Sequence, residues 1–514
     1  MFKESLDLKL SSVFDSIWCQ DVDGIPCFRM YIGGSWVESS SKELFTVDTP
    51  INGKTIAKVP SATAYDVERA VDSAYANKER IREIPGIDRI QIFRRAEQIL
   101  REHKDEFVRT LILEAGKTQS DAEGEVKATL ERLHLTLEEV RKIFGEYIPG
   151  DWSEGTSGKI ALVIREPIGV IGAITPFNYP LYTASAKIIP AILSGNAVVV
   201  KGSSEDPISL LLFTKVLEEA GLPKGVLNTV TGGGAVGEYL VRDERVGMIS
   251  FTGSTAVGKR IASLAQLKHL HLELGGKGLA IVLDDADLKH AAKCCVEGAL
   301  KNSGQRCDAI SLITVQKDVH SEFVKYVLDE VRYWVVGDPR IPEIRIGPLI
   351  NRASVERVHY LVEDAVQKGA KILAGGGFNG CFYQPTVLDD VPLDARIVWE
   401  ETFGPVVTVT KVVDEDEALT LAKKLRYGLD ACVFTKNFYR MWKVAKGLEV
   451  GEVTINDLPR HGVGYFPFGG WKESGLGREG IGYSIDEMTK LKTVVFNLEP
   501  AGLGKLKHLH PPTP

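Results

Sequence analysis

Residues 169–174 read Gly169-Val170-Ile171-Gly172-Ala173-Ile174, an uninterrupted run of small and branched apolar residues. A short run of this composition predicts a strand that is buried on both faces. The pattern then predicts a helix over 181–194 and a second apolar strand over 197–200. Because strands that alternate with helices form parallel sheets, the stretch predicts an α/β fold whose ligand lies at the carboxyl ends of the strands.

The same alternation continues on both sides of this stretch. Directly towards the C-terminus the sequence predicts helices over 209–220 and 236–241 and strands over 226–230 and 248–250. A second alternating block follows over 278–455, with strands at 279–282, 311–315, 406–412 and 432–435. A last strand is predicted over 488–498. Towards the N-terminus a Gly33-Gly34 turn predicts a hairpin over 30–37. Helical spacing follows over 63–144, where Ser120 and Glu123 form a predicted capping box, and residues 1–28 are an extension without a motif.

Length and composition limit the class of protein. A chain of 514 residues exceeds one compact core, so two or three domains are expected. The net charge of −7 and the short basic stretch 505–508 argue against a nucleic-acid partner, and no apolar run is long enough to span a membrane. The first residues lack the layout of a signal peptide, and seven cysteines without metal-ligand spacing argue against disulfides and a metal site. We therefore expect a cytoplasmic protein in a reducing compartment.

The segment Asn302-Ser303-Gly304-Gln305-Arg306-Cys307-Asp308 contains the candidate nucleophile. A thiol attacks electrophiles as the thiolate, and the neighbouring Arg306 guanidinium is expected to favour that anion. Gly304 allows the backbone to approach a ligand closely. The alternative is an ordinary buried cysteine, which is commoner at any single position, so the choice depends on the rest of the chain.

Glu273 lies between two leucines, just before Gly275 and Gly276, at a predicted strand end. A carboxyl group in such apolar surroundings has a raised pKa, which suits a general base near neutral pH. The alternative is a glutamate paired with Lys277 or Lys268.

Polar residues also follow three other predicted strands. Asn178 lies between two prolines and its amide can donate to a developing oxyanion, although asparagine is more often chosen for turn geometry. Lys201 ends the next strand, where it can meet a ribose or a phosphate. A glycine turn over 251–258 leads into a helix start that suits a phosphate, but its spacing is not GxGxxG and a purely structural turn is the alternative. Two further segments, 400–405 and 456–462, combine acidic, aromatic and basic residues.

In their joint order these segments resemble the aldehyde dehydrogenase superfamily, and the resemblance covers residues 31–496. It implies a Rossmann-like cofactor domain (29–144 and 163–273), an α/β catalytic domain (274–482) and a small β oligomerisation arm (145–162 and 483–505) that joins copies into dimers or tetramers. It implies Cys307 as the nucleophile, Glu273 as the general base, and Asn178 with the backbone N–H of Cys307 as the oxyanion hole. The cofactor-binding positions that it implies are Thr175, Lys201, Ser204, Glu238, Gly253, Ser254, Gly258, Leu274, Glu401 and Phe403.

Three arginines point to an anionic aldehyde. Arg306 precedes the nucleophile, Arg460 lies in the stretch that lines the substrate channel in this superfamily, and Arg132 lies on a helix that faces it. Guanidinium groups bind phosphate or carboxylate by paired hydrogen bonds, although single arginines often form surface ion pairs. The sequence is most similar to the non-phosphorylating glyceraldehyde-3-phosphate dehydrogenases. That similarity implies the following substrate contacts: Arg132, Asn178, Tyr179, Arg306, Cys307, Asp308 and Arg460.

Cofactor preference depends on the position three residues after Lys201. NAD-preferring members often carry a glutamate there, which repels a 2′-phosphate. This chain has Ser204, with Glu205 one residue later, so NADP is favoured and NAD stays possible. The adenine-side loop that contains Glu238 is one residue short of the family pattern.

Three hypotheses follow for the function. The first is irreversible NAD(P)-dependent oxidation of glyceraldehyde 3-phosphate to 3-phosphoglycerate through a cysteine thioester that water hydrolyses. The second is a semialdehyde dehydrogenase whose arginines bind a carboxylate. The third is a catalytically silent binding or structural protein. A phosphorylating reaction is disfavoured because no histidine lies near Cys307 in the sequence.

Overall fold

The computed structural model describes residues 6–21, 23–460 and 462–498. Parts of three predicted segments lie outside the described residues. They are the first five residues of the predicted extension, residues 499–505 of the predicted arm, and the basic stretch 505–508. Within the described residues, no helix has the length and apolar character needed to cross a membrane.

The N-terminal part forms short strands and then four helices. Its elements are a 3-10 helix (Ser12–Ile17), β1 (Trp18–Gln20), β2 (Pro26–Phe28), β3 (Met30–Ile32), β4 (Ser35–Val37), β5 (Leu44–Asp48), β6 (Thr55–Pro60), α1 (Ala64–Glu83), α2 (Gly86–Glu102), α3 (Lys104–Ala115) and α4 (Gln119–Glu139). The hairpin predicted over 30–37 is confirmed, since β3 and β4 pair antiparallel. β1, β2, β6 and β5 form a separate four-stranded sheet.

The middle of the chain alternates strands and helices as the sequence predicts. Its elements are a 3-10 helix (Val140–Lys142), β7 (Glu146–Pro149), β8 (Lys159–Pro167), β9 (Val170–Ile174), α5 (Pro180–Leu193), β10 (Ala197–Lys201), α6 (Ile208–Glu219), β11 (Leu227–Val230), α7 (Gly234–Arg242), β12 (Met248–Thr252), α8 (Thr255–Leu264) and β13 (His269–Glu273).

The C-terminal part contains the second alternating block. Its elements are β14 (Gly278–Val282), α9 (Leu288–Leu300), a 3-10 helix (Lys301–Gly304), β15 (Ile310–Gln316), α10 (His320–Val331), α11 (Arg352–Gln367), β16 (Lys371–Ala374), β17 (Phe378–Asn379), β18 (Phe382–Tyr383), β19 (Thr386–Asp389), α12 (Arg396–Trp399), β20 (Val406–Val412), α13 (Glu415–Lys424), β21 (Tyr427–Gly428), β22 (Asp430–Phe434), α14 (Phe438–Gly447), β23 (Glu452–Ile455), β24 (Trp471–Lys472), β25 (Gly475–Leu476), α15 (Tyr483–Glu487) and β26 (Thr489–Asn497).

The first large sheet has the strand order β25-β13-β12-β9-β10-β11-β3-β4. β9 to β13 pair in parallel, and the strands at both edges run antiparallel. Every residue of β9 and β10 is buried. Val198 and Val200 pack into one apolar cluster, and Ala197 and Val199 pack into another on the opposite face. A strand covered on both faces needs a continuous apolar run, which explains the composition of residues 169–174.

The second large sheet has the order β16-β19-β20-β15-β14-β22-β23 and is parallel except at β16. Alternate residues of β14 again enter two different apolar clusters. The loops that end the parallel strands of both sheets supply the candidate site.

β26, β8 and β7 form a small antiparallel sheet at the protein surface. Its exposed apolar side chains are Tyr147, Ile148, Leu162, Ile164, Leu491, Val495 and Phe496. β8 extends to Pro167, five residues beyond the predicted end of this arm at 162, and β25 from the predicted catalytic domain pairs with β13. The domain boundaries therefore stay a prediction.

The predicted capping box at Ser120 and Glu123 was wrong. Thr118 caps α4, and its hydroxyl accepts a hydrogen bond from the backbone N–H of Asp121. The left-handed Gly116, with φ of 68°, ends α3, so the chain becomes extended again at Thr118, two residues earlier than predicted. Thr118 and Asp121 have the same spacing as the predicted pair, and nothing in the local pattern distinguishes the two registers.

Candidate active site

A cavity of about 1210 Å³ lies at the carboxyl ends of β9, β10, β12 and β13, as expected for a parallel sheet. It brings together most of the residues predicted for the site. Those that line it are Thr175, Asn178, Tyr179, Lys201, Ser204, Glu238, Gly253, Ser254, Glu273, Leu274, Arg306, Cys307, Asp308, Glu401, Phe403 and Arg460. Arg132 and Gly258 are not part of the lining. Gly258 packs under Leu274, where an added Cβ would lie 2.3 Å from the leucine Cδ2.

The loop that carries Cys307 has an unusual backbone. Asn302, Ser303 and Gly304 all have positive φ, at 52°, 56° and 71°. Such conformations cost free energy in asparagine and serine, and they persist only where neighbouring contacts hold them. Gly304 is also tightly confined, since an added Cβ would lie 2.1 Å from the carbonyl oxygen of Gly404.

A buried network holds this loop. Lys117 Nζ donates to Asn302 Oδ1 at 2.9 Å and forms an ion pair of 3.1 Å with Glu125. The Asn302 amide in turn donates to the backbone carbonyl of Asn178 at 3.2 Å. Glu125 Oε1 accepts the backbone N–H groups of Leu181 and Tyr182 at the start of α5. The network therefore links the loop of Cys307, the candidate nucleophile, to the loop of the predicted oxyanion hole, and no local sequence pattern predicts it.

Burial raises the pKa of the Cys307 thiol well above its usual range. The carboxyl groups of Asp308, Asp430 and Glu273 raise this pKa further. The Arg306 guanidinium lowers it, but its effect is the smallest among these groups. Arg306 is itself buried in an ion pair with Asp308. Arg306 therefore favours the thiolate, as expected, but burial has the larger effect, so the thiol is protonated at rest.

Glu273 ends β13 with only 3% of its surface exposed. Neither carboxyl oxygen has a hydrogen-bond partner among the described residues, and the nearest basic nitrogen is His271 Nε2, 3.3 Å from Oε1. Burial, followed by the charge of Glu479, raises the pKa of Glu273 well above its usual range, as predicted. Lys277, which was the alternative partner of Glu273, donates instead to Thr402 Oγ1.

The Asn178 side chain points at the nucleophile loop. Its Nδ2 donates to the backbone carbonyl of Gln305 at 3.0 Å, which leaves a second N–H on the same amide. Tyr179, the next residue, is partly buried beside Lys117, whose Nζ lies 3.9 Å from the ring centroid. Burial raises the pKa of the Tyr179 hydroxyl, so this side chain is a neutral hydrogen-bonding group.

Arg460 and Arg132 have different surroundings. Arg460 lines the cavity, is more than half exposed, and lies near Glu297 (3.4 Å) and Asp457 (3.6 Å). Arg132 is buried, donates to the Tyr182 hydroxyl at 3.0 Å, and lies 3.5 Å from Glu479. The three predicted arginines therefore differ in their access to the cavity. Arg306 and Arg460 line it, whereas Arg132 contacts two residues that line it, Tyr182 and Glu479.

The opposite end of the cavity suits a dinucleotide. Ser254 caps the ten-residue helix α8, whose free N–H groups and positive dipole end suit a phosphate. Burial lowers the pKa of Lys201 to about 8. Thr252 Oγ1 is buried without a hydrogen-bond partner among the described residues. Ser204 lines the cavity and Glu205 does not, while Glu238 is paired with Arg260.

Glu401 and Phe403 lie between this end and Cys307. Glu401 accepts the backbone N–H of Gly276 at 3.1 Å, and Phe403, with a φ of 52°, packs edge-on against Phe177. A carboxylate beside an aromatic wall is able to hold ribose hydroxyls. These contacts agree with a cofactor that extends from α8 towards Cys307.

Sequence reasoning missed several buried groups near the nucleophile and the base. Lys187 forms an ion pair of 3.2 Å with Glu479, and together with Arg132 it lowers the pKa of Glu479 to about 2, although burial alone would raise it. Asp430 is buried with both oxygens unpartnered among the described residues. Lys187 and Asp430 were visible as single charges inside apolar segments, and that pattern is the signal that could have found them.

One group of side chains outside the cavity has the spacing of a metal site. His320 and Asp389 lie 2.7 Å apart with Asp390 beside them. Asp390 is already paired with Lys371 and Lys411. The group is therefore balanced by lysines and carries no further argument.

Residues 36–494 match the profile of the Aldehyde dehydrogenase family. An NADP-dependent glyceraldehyde-3-phosphate dehydrogenase of Streptococcus equinus is 40% identical over 92% of this chain and 99% of its own. A 3-sulfolactaldehyde dehydrogenase of Priestia aryabhattai is 36% identical over 92% of this chain and 98% of its own.

Among solved structures, the NADP-dependent glyceraldehyde-3-phosphate dehydrogenase of Bacillus halodurans C-125, complexed with NADP, superposes with a TM-score of 0.90. It is 39% identical and covers 92% of this chain and 99% of its own. The likeness confirms the predicted fold, with its Rossmann-like α/β architecture.

We expect Gly304→Ala to lower activity on the order of 100-fold or more, because the new Cβ displaces the nucleophile loop from the carbonyl of Gly404. Initial rates of aldehyde oxidation measure the effect. Gly155→Ala is the control, since only Ser153 Oγ, at 3.8 Å, lies near an added Cβ there. Equal activity of the two variants would contradict the assigned role of the loop.

Proposed function

This chain belongs to the aldehyde dehydrogenase family, and on that premise we propose that it oxidises glyceraldehyde 3-phosphate to 3-phosphoglycerate with NADP and water. The observation that carries the proposal is that Arg306 and Arg460 line the same cavity as Cys307. Arg306 Nη2 is paired with Asp308, but its buried Nη1 has no hydrogen-bond partner among the described residues, so the guanidinium can still donate to an anionic group on the aldehyde. The family assignment also disfavours the third hypothesis, a catalytically silent protein.

In the first step Cys307 adds to the aldehyde carbon. Because burial keeps the thiol protonated at rest, its proton must pass to water in the cavity as the sulfur attacks. Asn178 Nδ2 and the backbone N–H of Cys307 are the proposed donors to the oxygen that becomes negative. NADP supplies the acceptor for the hydride that leaves the same carbon, and a thioester remains on Cys307.

We propose that Lys201, Ser204 and the turn at Gly253 and Ser254 hold the cofactor phosphates. Glu401 and Phe403 hold its nicotinamide end. The serine at 204 has no charge to repel a 2′-phosphate, which favours NADP and leaves NAD use possible. Thr175, Gly258 and Leu274 shape the site, and Glu238 reaches its adenine end.

In the second step Glu273 removes a proton from water as the water attacks the thioester, and Cys307 leaves with the acid released. Glu273 lines the cavity together with Cys307 and has no lysine partner among the described residues, so it is available for this role. A general base needs a pKa near the working pH, and burial moves the Glu273 pKa in that direction.

A semialdehyde that bears a carboxylate is the second candidate, because the same arginines bind that group equally well. Initial rates on glyceraldehyde 3-phosphate, 3-sulfolactaldehyde and succinate semialdehyde, each with NADP and with NAD, compare the candidates. A preference for succinate semialdehyde would contradict our first choice. A requirement for inorganic phosphate would contradict water as the acyl acceptor.

We also propose that the surface sheet of β7, β8 and β26 joins copies of the chain into a dimer or tetramer. The apolar side chains of Leu162, Leu491 and Val495 are exposed there. A contiguous exposed apolar patch marks an interaction surface, and an exposed sheet edge is itself a pairing site. The cytoplasmic location stays a prediction.

We expect Glu273→Ala to release NADPH once per active site and then turn over on the order of 100-fold more slowly, because the thioester is no longer hydrolysed. Stopped-flow absorbance measures the first turnover and the steady state together. Cys307→Ser is the matched control and should show neither phase. Normal turnover of Glu273→Ala would show that another group is the base.

We expect Arg460→Ala to raise KM for glyceraldehyde 3-phosphate roughly 10- to 100-fold, the loss of a charge-assisted hydrogen bond, and to change KM for glyceraldehyde far less. Steady-state kinetics on both aldehydes give the comparison. Arg352→Ala is the control, since Arg352 pairs with Glu356 outside the cavity. An equal effect on both aldehydes would contradict a phosphate contact.

A further inference from the structure

His271 is a buried histidine beside the proposed base. It lies two residues before Glu273 on β13, so the two side chains leave the strand on the same face. His271 Nε2 lies 3.3 Å from Glu273 Oε1, and both side chains are almost fully buried. Within the described part of the chain neither atom forms a hydrogen bond, so the contact is a close approach of two unpaired polar atoms.

The other ring nitrogen of His271 contacts a hydroxyl that can act as donor or acceptor. Ser250, its neighbour in register on β12, brings its hydroxyl to 3.1 Å from His271 Nδ1. When that hydroxyl donates to Nδ1, the ring proton lies on Nε2 and faces Glu273. Burial, followed by the charge of Lys187, lowers the pKa of His271 to about 4, so the ring is neutral and carries this single N–H near neutral pH.

The surroundings of Glu273 make such a donor important. A carboxyl group taken out of water without hydrogen bonds is held in its neutral form, and a neutral acid takes no proton from water. An N–H aimed at the carboxylate favours the ionised form. His271 Nε2 lies 3.3 Å from Glu273 Oε1 and has no hydrogen-bond partner of its own among the described residues, so it is placed to become such a donor.

We infer that His271, oriented by Ser250, is a positioning residue that fixes the Glu273 carboxylate and favours its ionised form for hydrolysis of the thioester. The inference rests on the proposed function, because it assigns a partner to the base of that reaction. His271 does not itself line the cavity and contacts the lining at Glu273, so its effect is confined to the second step. Hydride transfer in the first turnover does not depend on it.

Other charged groups face this pair from each element packed against it. They are Lys187 on α5, Arg478 and Glu479 after β25, Glu487 on α15 and His269 on β13. Lys187 and Glu479 are paired with each other, Glu487 accepts a hydrogen bond from His269 Nε2 at 2.8 Å, and Arg478 donates to the backbone carbonyl of Gly477. These groups are therefore already partnered, which leaves His271 as the local donor for Glu273.

The sign of the pH effect follows from the donor role. An N–H that favours the carboxylate lowers the pKa of Glu273, so removal of His271 raises that pKa further. The acid limb of the kcat profile then moves to higher pH. At neutral pH a smaller share of Glu273 is ionised and hydrolysis slows, while at high pH the rate recovers.

The test uses the full-length enzyme with glyceraldehyde 3-phosphate and NADP. We expect His271→Leu to lower kcat on the order of tenfold at neutral pH and to move the acid limb by about one unit, the effect of losing one hydrogen bond to a charged group. The rate and amplitude of NADPH formation in the first turnover should stay within about twofold. His271→Gln, which keeps an amide N–H, should recover most of kcat.

The control is His269→Gln, on the same strand but exposed and paired with Glu487, which should leave both phases unchanged. An unchanged kcat and acid limb in His271→Leu would overturn the inference. It would also be overturned if the first turnover and kcat fell together in both His271 variants, which is the result of a purely structural role. Absence of aldehyde oxidation by the unmodified enzyme would instead contradict the proposed function, and the inference with it.

Discussion

Burial of ionisable groups in one cavity is the constraint on which the chemistry of this protein depends. Removal from water raises the pKa of both Cys307 and Glu273, so both groups favour their neutral forms at rest. A thiol and a carboxylic acid in this state are stable without cofactor or substrate. In our proposal their reactivity depends on nearby donors, which are Asn178 for the oxyanion and His271 for the carboxylate. The neighbouring Arg306 favours the Cys307 thiolate, but burial has the larger effect.

The fold supplies that burial and the positions of the donors. Parallel strands covered on both faces end at one edge of the first large sheet, and their last residues line the cavity. The second large sheet supplies the nucleophile loop, whose left-handed residues need support from outside the loop. Lys117 gives that support through Asn302 and, through Glu125, joins it to the start of α5. Lys117, in the loop before α4, and Glu125, on α4, thus hold the loop of Cys307 against the loop of Asn178.

Much of this was predictable from the sequence, for identifiable reasons. Continuous apolar runs such as 169–174 are set by local burial, so the parallel strands and their ends could be read directly, and polar residues at those ends marked Asn178, Lys201 and Glu273. The Lys117–Asn302 bond joins residues 185 positions apart, and no local pattern encodes such a partner. The same holds for the pairing of Arg132 with Glu479. His271 had a local signal, its spacing of two from Glu273 on a strand, but only the structure shows that both side chains are buried together.

The central claim is that water, activated beside a cysteine thioester, completes the oxidation. The most direct measurement is mass spectrometry of the acid formed from glyceraldehyde 3-phosphate and NADP in ¹⁸O-labelled water without inorganic phosphate. Aldehydes exchange their carbonyl oxygen with water, so the substrate is labelled to the same extent in a parallel sample and its contribution is subtracted. Our account predicts one further labelled oxygen in the carboxyl group of each product molecule. Product without that additional label, or no product until phosphate is added, would contradict it.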